Sequence, residues 1–201
     1  IPLIATAQAP IVFKMQGAWG PNDIFSEMAQ QYVTRVNEMS GGRLKIEYLP
    51  AGAVVKPFEI IDAVSKGVLD GGHHVSGYWY GKSKVASLFG TGPVSGATPE
   101  IGLSWIQVGG GQQLWDKLVA KMNLNVVGFF SFPMPSQPLG WFKTSPPKKA
   151  KDLAGFKYRT IGLAADMLQE MGMAVAQLPG GEIVPAMQRG VIDAFEFNNP
   201  T

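Results

Sequence analysis

The hydrophobic pattern of the chain alternates between short apolar runs and amphipathic stretches with a helical period. Residues 11–15 form a short apolar run that predicts a buried parallel strand. Residues 24–39 place apolar side chains at the spacing of a helix, and Gly41 and Gly42 predict its end. Residues 44–48 then alternate apolar and charged side chains, as a second strand does. This strand–helix–strand order is typical of an α/β sheet.

One segment occurs twice in the chain. Residues 59–70 read EIIDAVSKGVLD and residues 182–193 read EIVPAMQRGVID. Each copy predicts a short amphipathic helix, a glycine stop and an apolar strand. The match extends backwards, because FKMQ at 13–16 resembles FKYR at 156–159. Such a repeat predicts two similar lobes, each built on a βαβαβ unit with a parallel sheet, and a ligand cleft between them.

The remaining pattern completes this division of the chain. Further helices are predicted near 101–108, 112–123 and 163–171, and further strands at 68–75, 124–130, 139–143, 156–160, 173–177 and 191–197. We therefore expect lobe I to span residues 11–127 and lobe II, with the crossing between the lobes, residues 128–195. Residues 196–201 would return towards a missing C-terminal part, so we expect the chain to be truncated at its C-terminus.

Composition narrows the classes of function. A hydrophobic content of 46% excludes a disordered chain, and a net charge of +2 without a run of basic residues gives no argument for a nucleic-acid partner. The absence of cysteine excludes disulfides, thiol catalysis and thiolate metal sites. Residues 1–10 end in small-x-small triplets at Ala7 and Ala9, as the remnant of a secretory signal does, although a disordered N-terminus fits equally well.

Candidate binding residues lie where the predicted strands end, because ligands of parallel α/β sheets bind beyond the carboxyl ends of the strands. Arg159 ends one such strand, where a guanidinium can grip a carboxylate with two parallel hydrogen bonds or pair with a neighbouring acid. Glu196 ends another, and it can either pair with Arg159 or bind a hard cation. Trp19 and Tyr78 are candidates for an aromatic pocket wall.

The two adjacent histidines, His73 and His74, invite a catalytic or metal-binding interpretation. Neighbouring strand residues point to opposite faces, so the two rings do not easily share one metal ion. No serine or acid is spaced to complete a triad. A structural or simple polar role is therefore favoured for both residues.

Several strings of the sequence resemble a known family. LPGGEI at 178–183, AMQRGVIDA at 186–194, GWF at 140–142 and, more loosely, WYGK at 79–82 recur in it. The chain is similar to the periplasmic solute-binding subunits of TRAP (tripartite ATP-independent periplasmic) transporters, in the DctP-like group. The resemblance is strongest to members for α-keto acids and related monocarboxylates. It implies a two-lobe, periplasmic-binding-protein-like (Venus flytrap) α/β fold.

The resemblance also implies roles for particular residues. In such proteins an arginine at the position of Arg159 binds the ligand carboxylate. In the keto-acid branch a cation, Na⁺ or Ca²⁺, bridges ligand and protein, and the matching positions are Gln137, Glu196 and the backbone carbonyl of Phe197. Gln137 is also expected to bind the substrate. Asn199, which follows Glu196 at the same strand end, is a further candidate for binding the substrate. Many relatives carry Glu-Trp-Val-Gly-Pro there, whereas this chain reads EFNNP at 196–200, which changes the pocket wall.

The function implied is that of a periplasmic receptor that captures a small carboxylate, such as a 2-oxo acid like pyruvate, and delivers it to a membrane permease. No catalysis and no organic cofactor are expected. A homodimer is a further expectation for the full-length chain. Two alternatives remain open at this point: a ligand-sensing domain of a regulator on the same fold, and a metal-dependent hydrolase that uses His73 or His74.

Overall fold

The computed structural model describes residues 9–90, 98–131 and 139–197. The chain divides into two compact units, Ile1–His73 and His74–Thr201. This division falls earlier in the sequence than the predicted boundary between lobes, which stays a prediction. Within the described residues, no helix is both long and apolar enough to cross a membrane.

The first unit contains a three-stranded parallel sheet in the order β2-β1-β3. Its elements are β1 (Ile11–Gly17), α1 (Ile24–Met39), β2 (Leu44–Leu49), α2 (Ile60–Ser65) and β3 (Gly71–His73). Helix α1 begins where Asp23 accepts a hydrogen bond of 2.9 Å from the amide of Phe25, as an N-cap does. A 3₁₀ turn at Pro57–Glu59 leads into α2. The predicted strand–helix order is therefore observed.

Strand β1 changes environment along its length. Its first residues are exposed, with Ile11 at 61% exposure, although the apolar run predicted a buried strand. Its carboxyl end is buried, and Gln16 has no exposed surface. The buried end is the end that parallel α/β sheets use for binding.

The second unit begins with two 3₁₀ turns, at Ser76–Trp79 and Lys84–Phe89, and contains the second sheet. Its elements are α3 (Pro99–Val108), α4 (Gly111–Lys121), β4 (Trp141–Phe142), β5 (Lys157–Thr160), α5 (Leu163–Glu170), β6 (Ala174–Gln177), α6 (Ile183–Gln188) and β7 (Ala194–Phe195). The strand order is β4-β7-β5-β6, and only β4 runs antiparallel to its neighbour.

The two sheets share one topology, as the sequence repeat predicts. In each, the first strand of the repeat lies between the second and the third: β1 between β2 and β3, and β5 between β6 and β7. In the second sheet, Tyr158 and Ala194 pack with Leu168 of α5, whereas Phe195 packs with Ile183 of α6. Helices thus contribute to both faces of this sheet, and the predicted α/β class with a repeated βαβαβ unit is confirmed.

The strand predicted at 124–130 is wrong. These residues belong to no β-ladder among the described residues. Val127 and Phe129 are 81% and 84% exposed, while Phe130 turns inward and packs edge-on against Trp115 of α4, with ring centroids 5.1 Å apart. The apolar residues alternate along 124–130 because alternate side chains face α4. Such an alternation does not require a neighbouring strand.

Gly128 should tolerate no side chain, because it lies directly against Trp115. A β-carbon at Gly128 would stand 2.2 Å from the indole nitrogen of Trp115, and α4 holds the backbone through Gln112, whose amide donates to the carbonyl of Gly128 over 3.0 Å. We expect Gly128→Ala to lower the free energy of unfolding by about 1–3 kcal/mol. Urea unfolding followed by tryptophan fluorescence measures the change.

A matched glycine substitution controls for side-chain addition as such. Gly102 lies within α3, and a β-carbon there would meet no atom within 4 Å. Gly102→Ala should leave stability unchanged or raise it slightly, since alanine favours the helix. Equal destabilisation by both substitutions would contradict the packing explanation.

Candidate functional site

Arg159 occupies the carboxyl half of β5, in the middle of the second sheet. Its neighbours in register are Ala176 of β6 and Phe195 of β7. Because side chains alternate along a strand, Tyr158 packs into the α5 cluster and Arg159 points to the opposite face. Its side chain is only 2% exposed. An arginine buried this deeply needs partners for its charge and its N–H groups.

Three hydrogen bonds fix the orientation of the Arg159 guanidinium. Nε donates to the carbonyl of Leu178 over 2.8 Å. Nη1 donates to the carbonyl oxygen of Glu196 over 2.9 Å and to its carboxylate Oε1 over 2.8 Å. No acceptor among the described residues takes a hydrogen bond from Nη2. Within the described part of the chain, Nη2 is thus the one nitrogen of this rigidly held guanidinium that has no acceptor.

Glu196 is the partner that balances this charge. Its Oε1 accepts from Arg159 and, over 3.0 Å, from the hydroxyl of Thr160. Burial raises the pKa of Glu196 above the ordinary value of a glutamate, and the Arg159 charge and the Thr160 hydrogen bond oppose that shift. Of the two interpretations of Glu196 in the sequence, pairing with Arg159 is formed in the structure. The second carboxylate oxygen, Oε2, receives no hydrogen bond from a described residue.

Phe197 supports the arginine from one side. The guanidinium carbon lies 6.0 Å from the centre of the Phe197 ring, at the outer limit of a cation–π contact. The ring itself packs against the apolar cluster of Ile183, Ala186 and Ile192. The aromatic position after Glu196 is thus part of the wall beside Arg159.

Tyr78 meets the same part of the molecule from the 3₁₀ turn at Ser76–Trp79. Its buried hydroxyl accepts a hydrogen bond of 3.2 Å from the amide of Gly180. Arg159 donates to the carbonyl of Leu178 in the turn after β6. Hydrogen bonds from Arg159 and to Tyr78 therefore hold residues 178–180 of that turn. The sequence proposes Tyr78 as a pocket wall, and the described contact adds a positioning role for its hydroxyl.

Trp19 belongs to the first unit, where it is buried against Phe25 and His73, with ring centroids 4.9 Å and 5.0 Å apart. Its carbonyl accepts hydrogen bonds from the backbone amide of Ala51 and the hydroxyl of Ser26. The predicted role of Trp19 as a ligand wall stays a prediction.

Gln16 shows what the repeat does with the position equivalent to Arg159. Its Oε1 accepts from the amides of Val54 and Val55 over 2.8 Å and 3.1 Å, and its Nε2 donates to the carbonyl of Val55 over 2.8 Å. Both side chains therefore bind the turn that follows the second strand of their repeat. Only the second copy carries a charge and a buried acid beside it, so the two copies differ in chemistry at equivalent positions.

The two histidines have separate environments. His73 packs against the rings of Trp19 and Tyr48, and burial lowers its pKa to about 4. His74 accepts a hydrogen bond of 2.9 Å from the indole of Trp79. Across residues 9–90, 98–131 and 139–197, no three His, Cys, Asp or Glu side chains come together as a metal site.

Two predicted site residues, Gln137 and Asn199, lie outside the described residues. The structure brings together Arg159, Glu196, Phe197 and Tyr78. It adds the hydroxyl of Thr160 and the carbonyl of Leu178 to this group. The signal for Leu178 was present, because the Leu-Pro turn recurs before each copy of the repeat.

Comparison with known families identifies the class of protein. The model of the DctP family, described as bacterial extracellular solute-binding protein, family 7, matches residues 15–201. The chain therefore belongs to this family, whose members are solute-binding proteins and not enzymes. A monocarboxylate 2-oxoacid-binding periplasmic protein of Nostoc sp. is 38% identical over 172 residues, which cover 86% of this chain and 46% of that protein.

Solved structures of TRAP periplasmic solute-binding proteins share the fold. One from Pseudoalteromonas atlantica, with bound sodium and pyruvate, is 31% identical with a TM-score of 0.83. One from Colwellia psychrerythraea, with bound calcium and pyruvate, is 32% identical with a TM-score of 0.82. Each match covers 95% of this chain and 57% of the other. A Bordetella bronchiseptica relative, a dimer with calcium and picolinate, is 28% identical over 96% and 56% of the chains, with a TM-score of 0.80.

The chain thus spans about half the length of these relatives. The predicted family and fold class are confirmed. The alternatives of a regulatory sensing domain and of a hydrolase are not favoured, because the family match and the solved relatives are all of solute-binding proteins.

Proposed function

We propose that the protein is the periplasmic receptor of a TRAP transporter and that it captures a small monocarboxylate, with a 2-oxo acid such as pyruvate as the leading candidate. The observation that carries the proposal is the guanidinium of Arg159. It is buried, fixed by three hydrogen bonds at the carboxyl end of β5, and has Nη2 unengaged among the described residues. The ligands named for the Nostoc, Pseudoalteromonas and Colwellia relatives support the choice of a 2-oxo acid.

The charges around Arg159 favour a carboxylate that binds together with a cation. Glu196 already neutralises one positive charge, so a ligand carboxylate on Nη2 adds a negative charge beside a glutamate. In a buried site this repulsion is costly unless a further cation is present. A site of this composition therefore favours a carboxylate that arrives together with a cation.

The donor set at Glu196 fits such a cation. Oε1 is occupied by Arg159 and Thr160, whereas Oε2 accepts from no described residue. A carboxylate oxygen, a backbone carbonyl and an amide oxygen are the hard ligands that Na⁺ and Ca²⁺ prefer. The ion would be held by Glu196 Oε2, the carbonyl of Phe197 and the side chain of Gln137. Its positive charge would offset the repulsion between Glu196 and the ligand carboxylate.

The wider function follows from the family. The receptor would work in the periplasm and pass its ligand to the membrane subunits of the transporter. Trp19, Tyr78 and Asn199 are proposed to complete the ligand pocket. A homodimer is proposed for the full-length protein, for which the Bordetella bronchiseptica dimer is the precedent.

The direct test is a thermal-shift and calorimetric titration with pyruvate, lactate, pyroglutamate and succinate, each with and without Na⁺ or Ca²⁺. A ligand at a hundredfold excess over its Kd stabilises the native state by about 2.7 kcal/mol, which raises the melting temperature clearly. We expect pyruvate to give the largest shift and to need the cation. No shift with any of these carboxylates would overturn the proposed substrate class.

Arg159→Lys is the variant for this titration, because it keeps the charge beside Glu196 and removes the fork-shaped donor set. Loss of a charged hydrogen bond costs about 1.5–3 kcal/mol, so pyruvate affinity should fall about ten- to a hundredfold. Lys157→Met on the same strand is the matched control, since Lys157 is exposed and its ammonium donates to the carbonyl of Gly190, away from Arg159. It should bind pyruvate as the wild type does.

A further inference from the structure

The segment of residues 76–89, here called the cover segment, contacts the second sheet at the strand ends that carry Arg159. Tyr78 binds the turn after β6, and Gly77 lies against Ile161, just after β5. A β-carbon on Gly77 would come within 3.1 Å of the Ile161 side chain. The cover segment therefore lies over the residues that follow Arg159 in the chain.

The contacts on one side of the cover segment are aromatic. Trp79 packs on Trp115 of α4 with ring centroids 4.7 Å apart, and Phe89 packs on Trp115 and Trp105 at 5.1 Å and 5.4 Å. Trp79 and Trp115 are buried. Tilted and edge-on aromatic pairs such as these add to the stabilisation that comes from the burial of their surface. The cover segment is thereby anchored to α3 and α4.

The contacts of the cover segment with α5 are polar and at least partly exposed. Asp166, in the first turn of α5, accepts from the hydroxyl of Tyr80 through Oδ1 and from Lys84 Nζ over 2.8 Å through Oδ2. Lys84 also lies 5.5 Å from the centre of the Tyr80 ring. The ion pair is exposed on both sides, with 65% of the Lys84 and 33% of the Asp166 side chain accessible. Exposed pairs of this kind are weak and easily replaced by water.

The close approach on this side is made possible by a glycine. Gly162 has a φ of +66°, and a β-carbon there would lie 2.8 Å from the hydroxyl of Ser87. No other residue fits both the backbone conformation and the space. The polar contacts of Tyr80 and Lys84 thus occur where the backbone of the β5–α5 connection allows the cover segment to come nearest.

We propose that Tyr80, Lys84 and Asp166 form a latch that holds the cover segment on α5 and sets the rate at which the bound carboxylate leaves Arg159. The inference rests on the proposed function, because the ligand at Arg159 is what the latch retains. The aromatic contacts with α3 and α4 are stronger than the polar contacts with α5. The cover segment should therefore separate from α5 and stay attached to α3 and α4. The cover segment and α5 both lie in the second compact unit, and the lobe boundary predicted from the sequence, after residue 127, falls between them. Opening at that predicted boundary would break this latch.

The test compares the full-length wild-type protein with Asp166→Asn and with the reciprocal swap Lys84→Asp/Asp166→Lys. Stopped-flow fluorescence with pyruvate and NaCl gives the association and dissociation rate constants. Asp166→Asn removes the ion pair with Lys84 and leaves only a neutral acceptor for the Tyr80 hydroxyl. We therefore expect dissociation on the order of tenfold faster, with association within about twofold of wild type. The swap should restore part of the slow dissociation, because it restores the charge pair without the original geometry.

Hydrogen exchange provides a readout that does not depend on the ligand. Without pyruvate, peptides from residues 76–89 and 161–170 should exchange faster in Asp166→Asn than in wild type. The matched control is Glu47→Gln, which breaks an ion pair of the same 2.8 Å length between Lys45 and Glu47, 58% and 37% exposed, in the first unit. It should change neither the exchange of these peptides nor the release of pyruvate.

The outcomes separate the latch from the proposed function. Unchanged exchange in Asp166→Asn would overturn the latch. Faster exchange with unchanged pyruvate dissociation would reduce the contact to a structural one and also overturn it. If exchange is faster in Asp166→Asn but the protein binds no pyruvate, the proposed ligand is refuted. The contact between the cover segment and α5 would then be shown, and its role in retaining pyruvate would be refuted.

Discussion

Arg159→Ala should lower the free energy of unfolding by about 3–5 kcal/mol, in addition to abolishing carboxylate binding. The reason is the burial of Glu196, which is 2% exposed and relies on Arg159 for a contact of 2.8 Å. Without the guanidinium, a buried carboxylate would have to stay unpaired or take up a proton. Guanidinium chloride unfolding, followed by tryptophan fluorescence, measures this loss without any ligand.

A double variant distinguishes charge burial from lost packing. Arg159→Met combined with Glu196→Gln removes both charges and keeps most of the volume, so it should recover a large part of the stability that Arg159→Ala loses. Recovery will be incomplete, because the carbonyls of Leu178 and Glu196 lose their donor. A double variant as unstable as Arg159→Ala would contradict the interpretation of a buried ion pair.

Acidification should destabilise the protein through His73. Burial lowers the pKa of this histidine to about 4, from 6.5, so the unfolded state binds a proton at a pH where the folded state does not. As the pH falls from about 6.5 to about 4, the free energy of unfolding decreases by about 1.4 kcal/mol for each pH unit, or about 3 kcal/mol in all. Below about pH 4 both states are protonated, and this contribution no longer changes.

Urea unfolding at several pH values between 7.5 and 4 measures this dependence. His73→Gln should remove most of it, at the cost of some stability at neutral pH. His74→Gln is the matched control, since His74 is less buried and binds the indole of Trp79 instead. A pH dependence that persists in His73→Gln and disappears in His74→Gln would contradict the prediction, because it would assign the effect to His74.

The proposed binding site explains why the two copies of the repeat are not interchangeable. Gln16 and Arg159 are equivalent in the repeat, and both bind the turn after the next strand. In the first copy a neutral amide is satisfied by that turn. In the second copy the guanidinium donates to the turn through Nε. Glu196 balances its charge and also accepts from the hydroxyl of Thr160. The same scaffold position thus serves structure in one sheet and, in the proposed site, ligand binding in the other.

The sequence by itself determined the class of the fold. The recurrence of EIIDAVSKGVLD as EIVPAMQRGVID and the order of strands and helices around it are local signals, and hydrophobic periodicity with glycine stops is enough to interpret them. It also placed Arg159 and Glu196 at strand ends, because strand direction alone decides which residues come last. The strand predicted at 124–130 failed, because a ladder needs a neighbour and the alternation arises from packing on α4.

Only the tertiary structure decided how these residues act. From the sequence, pairing of Glu196 with Arg159 and binding of a cation are equally good, since residue types do not reveal distances. The structure shows the pair formed through Oε1 and leaves Oε2 without a described donor. It also brings Asp166 to Tyr80 and Lys84, more than eighty positions away in the chain, as no local pattern could. The sequence gives the chemical type of each side chain. Charge balance and long-range contacts depend on distances that exist only in the folded chain.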